Sequence, residues 1–374
     1  MANDNSTQGQ LSLITKGITA ASGVESIRDL LQSGKQIKCF WATAPTGKPH
    51  IAYLVPFLKL VEFVEAGVEV EVLLCGSSIP LATNYMIFFT DIEGTTTDLY
   101  AYLNNYNVPF EIVKQRAKYY QTTIKAALQV LGCPDDGVRF VLASTYEFGQ
   151  DFVMDNYRLS TLVDEQDIRD TGGDCTTGTK LSVLMCPNLP ALAEEYLKCD
   201  VQFGGEDQLG LFEFNERFLP QLGYRKRAHL MNPMVLGLKG SKMSASIPDS
   251  KIDLFDDPSV IRHKIFNACC LDGHVNENGL LDLLKHVVMP IRQHNARRVG
   301  THDAGVKVNL RTGAYKLYEG YEELETDFGA NVISALALKQ AVSDYVCEIL
   351  EPLRKLYDEN AEWRNLEALA YPNL

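Results

Sequence analysis

Residues 36–44 (QIKCFWATA) form an apolar, β-prone run that stops at Pro45-Thr46-Gly47-Lys48-Pro49. Apolar positions then recur with helical spacing from His50 to Ala66, at Ile51, Leu54, Val55, Leu58, Leu60, Val61 and Val64. Residues 68–75 (VEVEVLLC) read as a second strand. Strand, turn, helix, strand is a βαβ unit, which predicts an α/β fold with a parallel sheet and ligands gathered at the carboxyl ends of its strands. Further helices are expected over 115–131 and 189–199, and a strand over 139–143. After Ile252-Asp253 the pattern becomes mainly helical, over 258–269, 280–286 and 336–357, so a domain boundary is expected near residue 250. No internal repeat interrupts this order.

Composition narrows the class. The chain of 374 residues, 46% hydrophobic and 22% charged, can fill the cores of two globular domains. Its start is polar, without the basic-then-apolar order of a signal peptide, and no apolar run approaches membrane-spanning length. The nine cysteines show no CxxC spacing, so reduced, mostly buried thiols in the cytoplasm are expected. The histidines show no metal-ligand spacing either, and no metal site is expected. A net charge of −13 argues against a broad phosphate-binding surface. The densest basic cluster, Gly223-Tyr-Arg-Lys-Arg-Ala-His229, reads as a local groove or as an ordinary solvated helix end.

Two separated segments carry candidate chemistry. Pro45-Thr46-Gly47-Lys48-Pro49-His50-Ile51-Ala52-Tyr53 stands at the strand-to-helix turn, where unpaired N–H groups and a partial positive charge suit a triphosphate. Gly47 gives the turn its freedom, and Ala52 is small enough for an adenine to lie against the helix. Lys48 and His50 supply donors where charge develops as pyrophosphate leaves. Gly240-Ser-Lys242-Met243-Ser244-Ala-Ser246 reads as a loop that closes over the phosphates with one lysine and small hydroxyl residues. Between the two lies a Gly204-Gly205-Glu206-Asp207-Gln208 turn. Each segment alone is weak; together, in this order, they are specific.

In this arrangement the chain resembles the eukaryotic and archaeal tyrosyl-tRNA synthetases, of class I. His50-Ile-Ala-Tyr53 stands for the family's HIGH signature and Lys242-Met-Ser-Ala-Ser246 for KMSKS. The likeness runs from about Leu11 to Asn373 and is densest in 38–56, 194–208 and 227–253. It implies a Rossmann-type parallel-sheet catalytic domain over 1–250 and a mainly helical anticodon-binding-type domain over 251–374. It also implies a reaction: an amino-acid carboxylate attacks the α-phosphate of ATP, with Mg²⁺ accompanying the nucleotide, and the product passes to the 3′ end of a tRNA. The resemblance assigns catalysis to Lys48, His50, Lys242, Ser244 and Ser246. ATP binding falls to Pro45, Thr46, Gly47, His50, Ala52, Gly204, Gly205, Asp207 and Met243. A cytoplasmic homodimer with no membrane association is expected.

Where the family selects its amino acid, this chain departs from it. Phe40 replaces a Tyr that contacts the substrate phenol, and Ala193 replaces the Asp that accepts the phenol proton. Cys186 and Pro190 stand at the Tyr and Gln that hold the ammonium group. Glu147 aligns with a Gln and Tyr100 with a His, while Gln208 is kept. Sites that hydrogen-bond a phenol reject its absence by roughly 10⁴–10⁵. Ala337 likewise replaces an Asp that reads an anticodon guanine. An extra segment over about 76–97 reads either as a lid beside the pocket or as a translated intron. Three functions follow: a tyrosine–tRNA ligase, a diverged paralogue activating a different amino acid, or a noncatalytic binding protein on the same scaffold.

Overall fold

The computed structural model describes residues 2–74, 103, 108–240, 243 and 250–372. The 76–97 segment, Tyr100, Lys242, Ser244 and Ser246 lie outside the described residues. In chain order the main elements begin with α1 (Ala2–Thr15), β1 (Ala20–Ser22), α2 (Val24–Gln32), β2 (Lys38–Thr43), α3 (Leu54–Glu65) and β3 (Glu69–Leu74). They continue with α4 (Phe110–Val130), β4 (Val138–Leu142), α5 (Gln150–Ser160), α6 (Asn188–Tyr196), β5 (Val201–Gly205), α7 (Leu209–Phe218) and β6 (Ala228–Asn232). Beyond these come α8 (Pro258–Phe266), α9 (Met289–Val299), β7 (Val306–Asn309), β8 (Tyr315–Tyr318), α10 (Ala335–Glu359) and α11 (Ala361–Ala370).

The expected βαβ unit is present. Its helix begins later than the pattern suggested, because a 3₁₀ turn at Ile51–Tyr53 precedes α3. Pro56 is tolerated in the first turn of α3, where its missing N–H is an orphan in any case. β2, β3, β4, β5 and β6 pair in parallel and β1 closes the edge antiparallel, in the order β1-β6-β5-β2-β3-β4. A parallel sheet covered on both faces needs nearly continuous apolar strands, and β3 is buried from Val70 to Leu74. Glu71 sits within that run fully buried, paired with Lys38 at 2.9 Å and with Arg139.

Two local contacts fix how the sheet meets its helices. Gly23 has φ +70° at the β1–α2 turn, and a Cβ there would lie 2.9 Å from the Ala228 backbone, so the close approach to β6 excludes a side chain. The buried Lys59 ammonium donates to the carbonyls of Leu13 and Lys16 at 2.7 and 2.8 Å, tying α3 to the end of α1.

The carboxyl-terminal part is mainly helical, as expected, with two departures. The helix expected over 280–286 is α only over Gly279–Leu283 and widens into a π turn at Leu284–Val288 before α9. A hairpin, β7–β8, interrupts the helices; Val306, Val308 and Tyr318 turn into the core and neighbouring positions face out. Ser334 caps α10 by accepting from the Ala337 backbone N–H at 3.1 Å. One apolar cluster joins Phe57, Val72 and Phe203 of the sheet layer to Leu338, Leu350, Trp363 and Tyr371. Among the described residues no helix is long and apolar enough to cross a membrane. All eight described cysteines are free thiols, and only Cys269 is exposed.

Candidate active site

The turn after β2 is clamped from two sides. On one side His50 bridges antiparallel to Asp253, and the Ile51 N–H donates to the Ile252 carbonyl at 2.9 Å. This brings the strand-to-helix turn against the chain that follows the second candidate segment. On the other side the turn's carbonyls receive side-chain donors. The Thr46 oxygen accepts from Arg116 at 2.7 Å, and the Gly47 oxygen accepts from the hydroxyls of Tyr120 and Tyr371 at 2.7 and 2.8 Å. Lys48 pairs with Glu367 of α11 at 2.6 Å. His50 is extended and buried, with its ring edge-on to Tyr53 at 5.1 Å. Lys251, also buried, pairs with Asp253 at 2.6 Å; burial raises the Asp253 pKa despite that lysine.

These groups border a cavity of about 1070 Å³. It opens beyond the carboxyl ends of β2, β5 and β6, where an open parallel sheet places its ligands. Thr46, Gly47, Lys48, His50 and Ala52 line it together with Gly205, Asp207, Gln208, Asn232, Met234, Met243 and Lys251. The glycines at the end of β5 let the side chains of Gln208 and Asp207 lie close against the backbone. A Cβ on Gly204 would strike Gln208 and Phe212, and one on Gly205 would lie 2.5 Å from Asp207 Oδ1. Pro45 and Gly204 flank the lining without belonging to it.

The residues expected to choose the amino acid divide. Pro190 and Gln208 line the cavity. Phe40 and Ala193 are fully buried behind it, in an apolar cluster with Leu73, Ala143, Leu197 and Cys199. Cys186 packs in a neighbouring cluster, and its thiol lies 3.4 Å from the Ser182 carbonyl. Glu147 is buried at the end of the short helix Ser144–Glu147.

Beneath the cavity floor runs a buried polar chain. Gln202, a lining residue, accepts from Asn215 at 3.0 Å, and Asn215 also donates to Glu194 at 2.7 Å. Glu194 meets His229 Nε2 at 2.8 Å; the Nδ1 side of the ring faces Glu216 at 3.1 Å and Ser22 at 3.2 Å. Burial opposes protonation of His229, but the bonds to the two carboxylates outweigh it and raise its pKa. The basic cluster at 223–229 divides: the buried Arg227 pairs with Glu195, whereas Arg225, paired with Asp200 at 2.7 Å, and Lys226 are exposed.

Pattern reading missed Arg116, Tyr120, Lys251, Asp253, Glu367 and Tyr371. Arg116 and Tyr120 stand four apart on α4, which is a helix-face signal without a chemical one. Nothing in the sequence ties Glu367 or Tyr371 to residues 46–48.

Comparison with known proteins agrees with this geometry. The family described as tRNA synthetases class I (W and Y) matches residues 32–78 and 95–351. The match leaves out 79–94, within the 76–97 segment. The cytoplasmic tyrosine–tRNA ligase of Saccharomyces cerevisiae is 40% identical over 367 residues, 96% of this chain and 87% of that protein. That of Danio rerio is 38% identical over 375 residues, 100% of this chain but 65% of that protein, so the chain spans just under two thirds of that relative. Among solved structures, the tyrosyl-tRNA synthetase of Archaeoglobus fulgidus complexed with L-tyrosine superposes with a TM-score of 0.76 at 27% identity, covering 93% of this chain and 99% of that one. The chain belongs to the class I tRNA synthetases of the tryptophanyl and tyrosyl kind.

Proposed function

We propose that this chain activates an amino acid as its adenylate and transfers it to a tRNA, with tyrosine and tRNA-Tyr as the substrates its relatives' names supply. The observation that carries the proposal is the clamping of the Thr46–His50 turn against residues 252–254 at a cavity that Gly205, Asp207 and Gln208 also line. ATP enters with its Mg²⁺ as substrate. The amino-acid carboxylate attacks the α-phosphorus, and the bond to the bridging oxygen breaks to release pyrophosphate. A tRNA 3′-terminal hydroxyl then attacks the carbonyl carbon and AMP leaves.

Lys48 and His50 stabilise the charge that develops on the phosphates, by donors fixed before the reaction. Ala52 and Gly205 leave room for the nucleotide, and Asp207 and Gln208 face it across the cavity. Met243 stands near the loop whose Lys242, Ser244 and Ser246 complete the charge neutralisation. The mainly helical part beyond about residue 250 is assigned to the tRNA anticodon.

The cytoplasmic location follows the names of the relatives. A homodimer is supported by the apolar surface at α5 and its neighbours, where Phe148, Met154, Tyr157 and Leu181 are 49, 54, 60 and 72% exposed. Met154 and Tyr157 stand three apart on one face of α5, and exposed apolar side chains so placed suit a contact between copies of the chain. Tyr157→Glu should halve the mass measured by light scattering; an unchanged mass would place any dimer contact elsewhere.

ATP–pyrophosphate exchange screened across the amino acids tests the reaction. Exchange dependent on tyrosine is expected. Exchange with another amino acid and none with tyrosine would identify a diverged paralogue. A folded protein giving no exchange with any of them would overturn the assignment of an enzyme.

A further inference from the structure

Glu367 on α11 does not line the cavity, whereas Lys48, with which it pairs at 2.6 Å, does. The carboxylate is itself held. The hydroxyl of Tyr119, buried on α4, donates to it at 3.1 Å, and the hydroxyl of Tyr357 on α10 also bonds it. Lys48 and Glu367 are both largely enclosed, at 22 and 16% side-chain exposure. Just beyond, Tyr371 donates to the Gly47 carbonyl at 2.8 Å, and Arg116 Nε donates to the Ala370 carbonyl at 3.1 Å. The end of α11 is thereby stitched to the turn on both sides of the ion pair.

We infer that Glu367 is a positioning residue for Lys48, holding its ammonium at the cavity wall from behind so that it faces the anionic end of the bound nucleotide. The carboxylate stands outside the cavity, so it backs the lysine and does not occupy the place of a phosphate. An ammonium has three N–H donors; one is directed to Glu367, and the others remain for the ligand. A lysine has a long flexible stem whose confinement costs entropy. A carboxylate already fixed by two phenols imposes that confinement before the nucleotide arrives. The inference rests on the adenylation reading above for what the lysine meets.

A double-mutant cycle tests it, read by calorimetric ATP affinity and by pyrophosphate exchange. Glu367→Gln should weaken ATP binding about five-fold and slow exchange about ten-fold, through kcat more than through the KM for amino acid. In a Lys48→Ala background the same substitution should change neither. Tyr357→Phe, which only loosens the carboxylate, should give a smaller loss of about two-fold that also vanishes without Lys48. It serves as the second variant if Glu367→Gln folds poorly. Equal losses in both backgrounds, or a lowered melting temperature with unchanged ATP affinity, would overturn the inference and leave α11 as structural support alone. Wild-type protein that binds ATP but exchanges with no amino acid would sink the reaction assigned above, while the binding cycle would still decide the role of Glu367. A wild type that binds no ATP overturns both.

Discussion

Around Thr46–Lys48 the chain's polar groups have been given partners from far away: Arg116 and Tyr120 from α4, Glu367 from α11, and Tyr371 beyond it. Behind the same cavity, Phe40 and Ala193 pack in an apolar cluster with Leu73, Ala143, Leu197 and Cys199, although Phe40 stands in register with Glu71 and Gln202 on the neighbouring strands. The first region is specified by hydrogen bonds and charge, where losing one partner strands another. The second is specified by shape, so volume-conserving changes should be tolerated there and new charge should not. A chain can therefore keep the turn at Thr46–Lys48 fixed while the chemistry of the adjoining wall changes.

The largest expected effect breaks the polar side. His50→Ala should slow ATP–pyrophosphate exchange by about 10²–10³-fold with little change in melting temperature, since a donor aimed at developing charge is worth that much. A loss under ten-fold would remove His50 from the chemistry. Next, Ala193→Asp should lower unfolding free energy by about 2–4 kcal/mol, measured by urea titration, because its carboxyl would enter an apolar cluster. A stable variant with increased tyrosine exchange would mean instead that the wall opens to the substrate.

Phe40→Tyr tests the same wall more gently. Its added hydroxyl should cost about 1–2 kcal/mol and leave the amino-acid preference unchanged, because Phe40 lies behind the cavity lining. A shift of preference toward tyrosine in competitive exchange would put the ring in contact with substrate.

The smallest effect concerns the polar chain under the floor. His229 has its folded pKa raised above 6.5, with burial opposing and Glu194 and Glu216 prevailing. Its stabilising contribution should thus be complete below pH 6.5 and disappear as pH rises through the folded value. Denaturation midpoints of wild type and His229→Gln, followed upward from pH 6, should differ in slope by on the order of 1 kcal/mol in total. Parallel curves would mean that folding leaves the proton affinity of the histidine unchanged.

The βαβ unit could be read from sequence because its strands and helix each carry a local period, apolar in residues 36–44 and helical after His50. The turn's glycines and lysine could be read because their chemistry depends on neighbours in the chain. The hairpin at 306–318 escaped notice because each strand has only four residues, too short for the alternation of Val306 and Val308 to stand out among helical patterns. Glu367 and Tyr371 escaped because nothing local distinguishes them; their roles exist only once α11 lies against α4. The packing of Phe40 and Ala193 in one apolar cluster needed the structure too, since sequence identifies an apolar residue but not the neighbours it packs against. Lys242, Ser244, Ser246 and Tyr100 remain readings from sequence.

The bond from Tyr371 to Gly47 spans 324 positions, and that distance has a meaning in time. A ribosome adding about 5–20 residues per second needs roughly 16–65 s to travel between them. Once residue 120 has been added, the chain carries β2, α3 and β3, but until residues 367 and 371 follow, the carbonyl of Gly47 lacks one of its two donors and Lys48 lacks its carboxylate. The nascent polypeptide therefore carries an unfinished turn until the ribosome has passed residue 371, and the two donors to Gly47 arrive in sequence, first Tyr120 from α4 and then Tyr371.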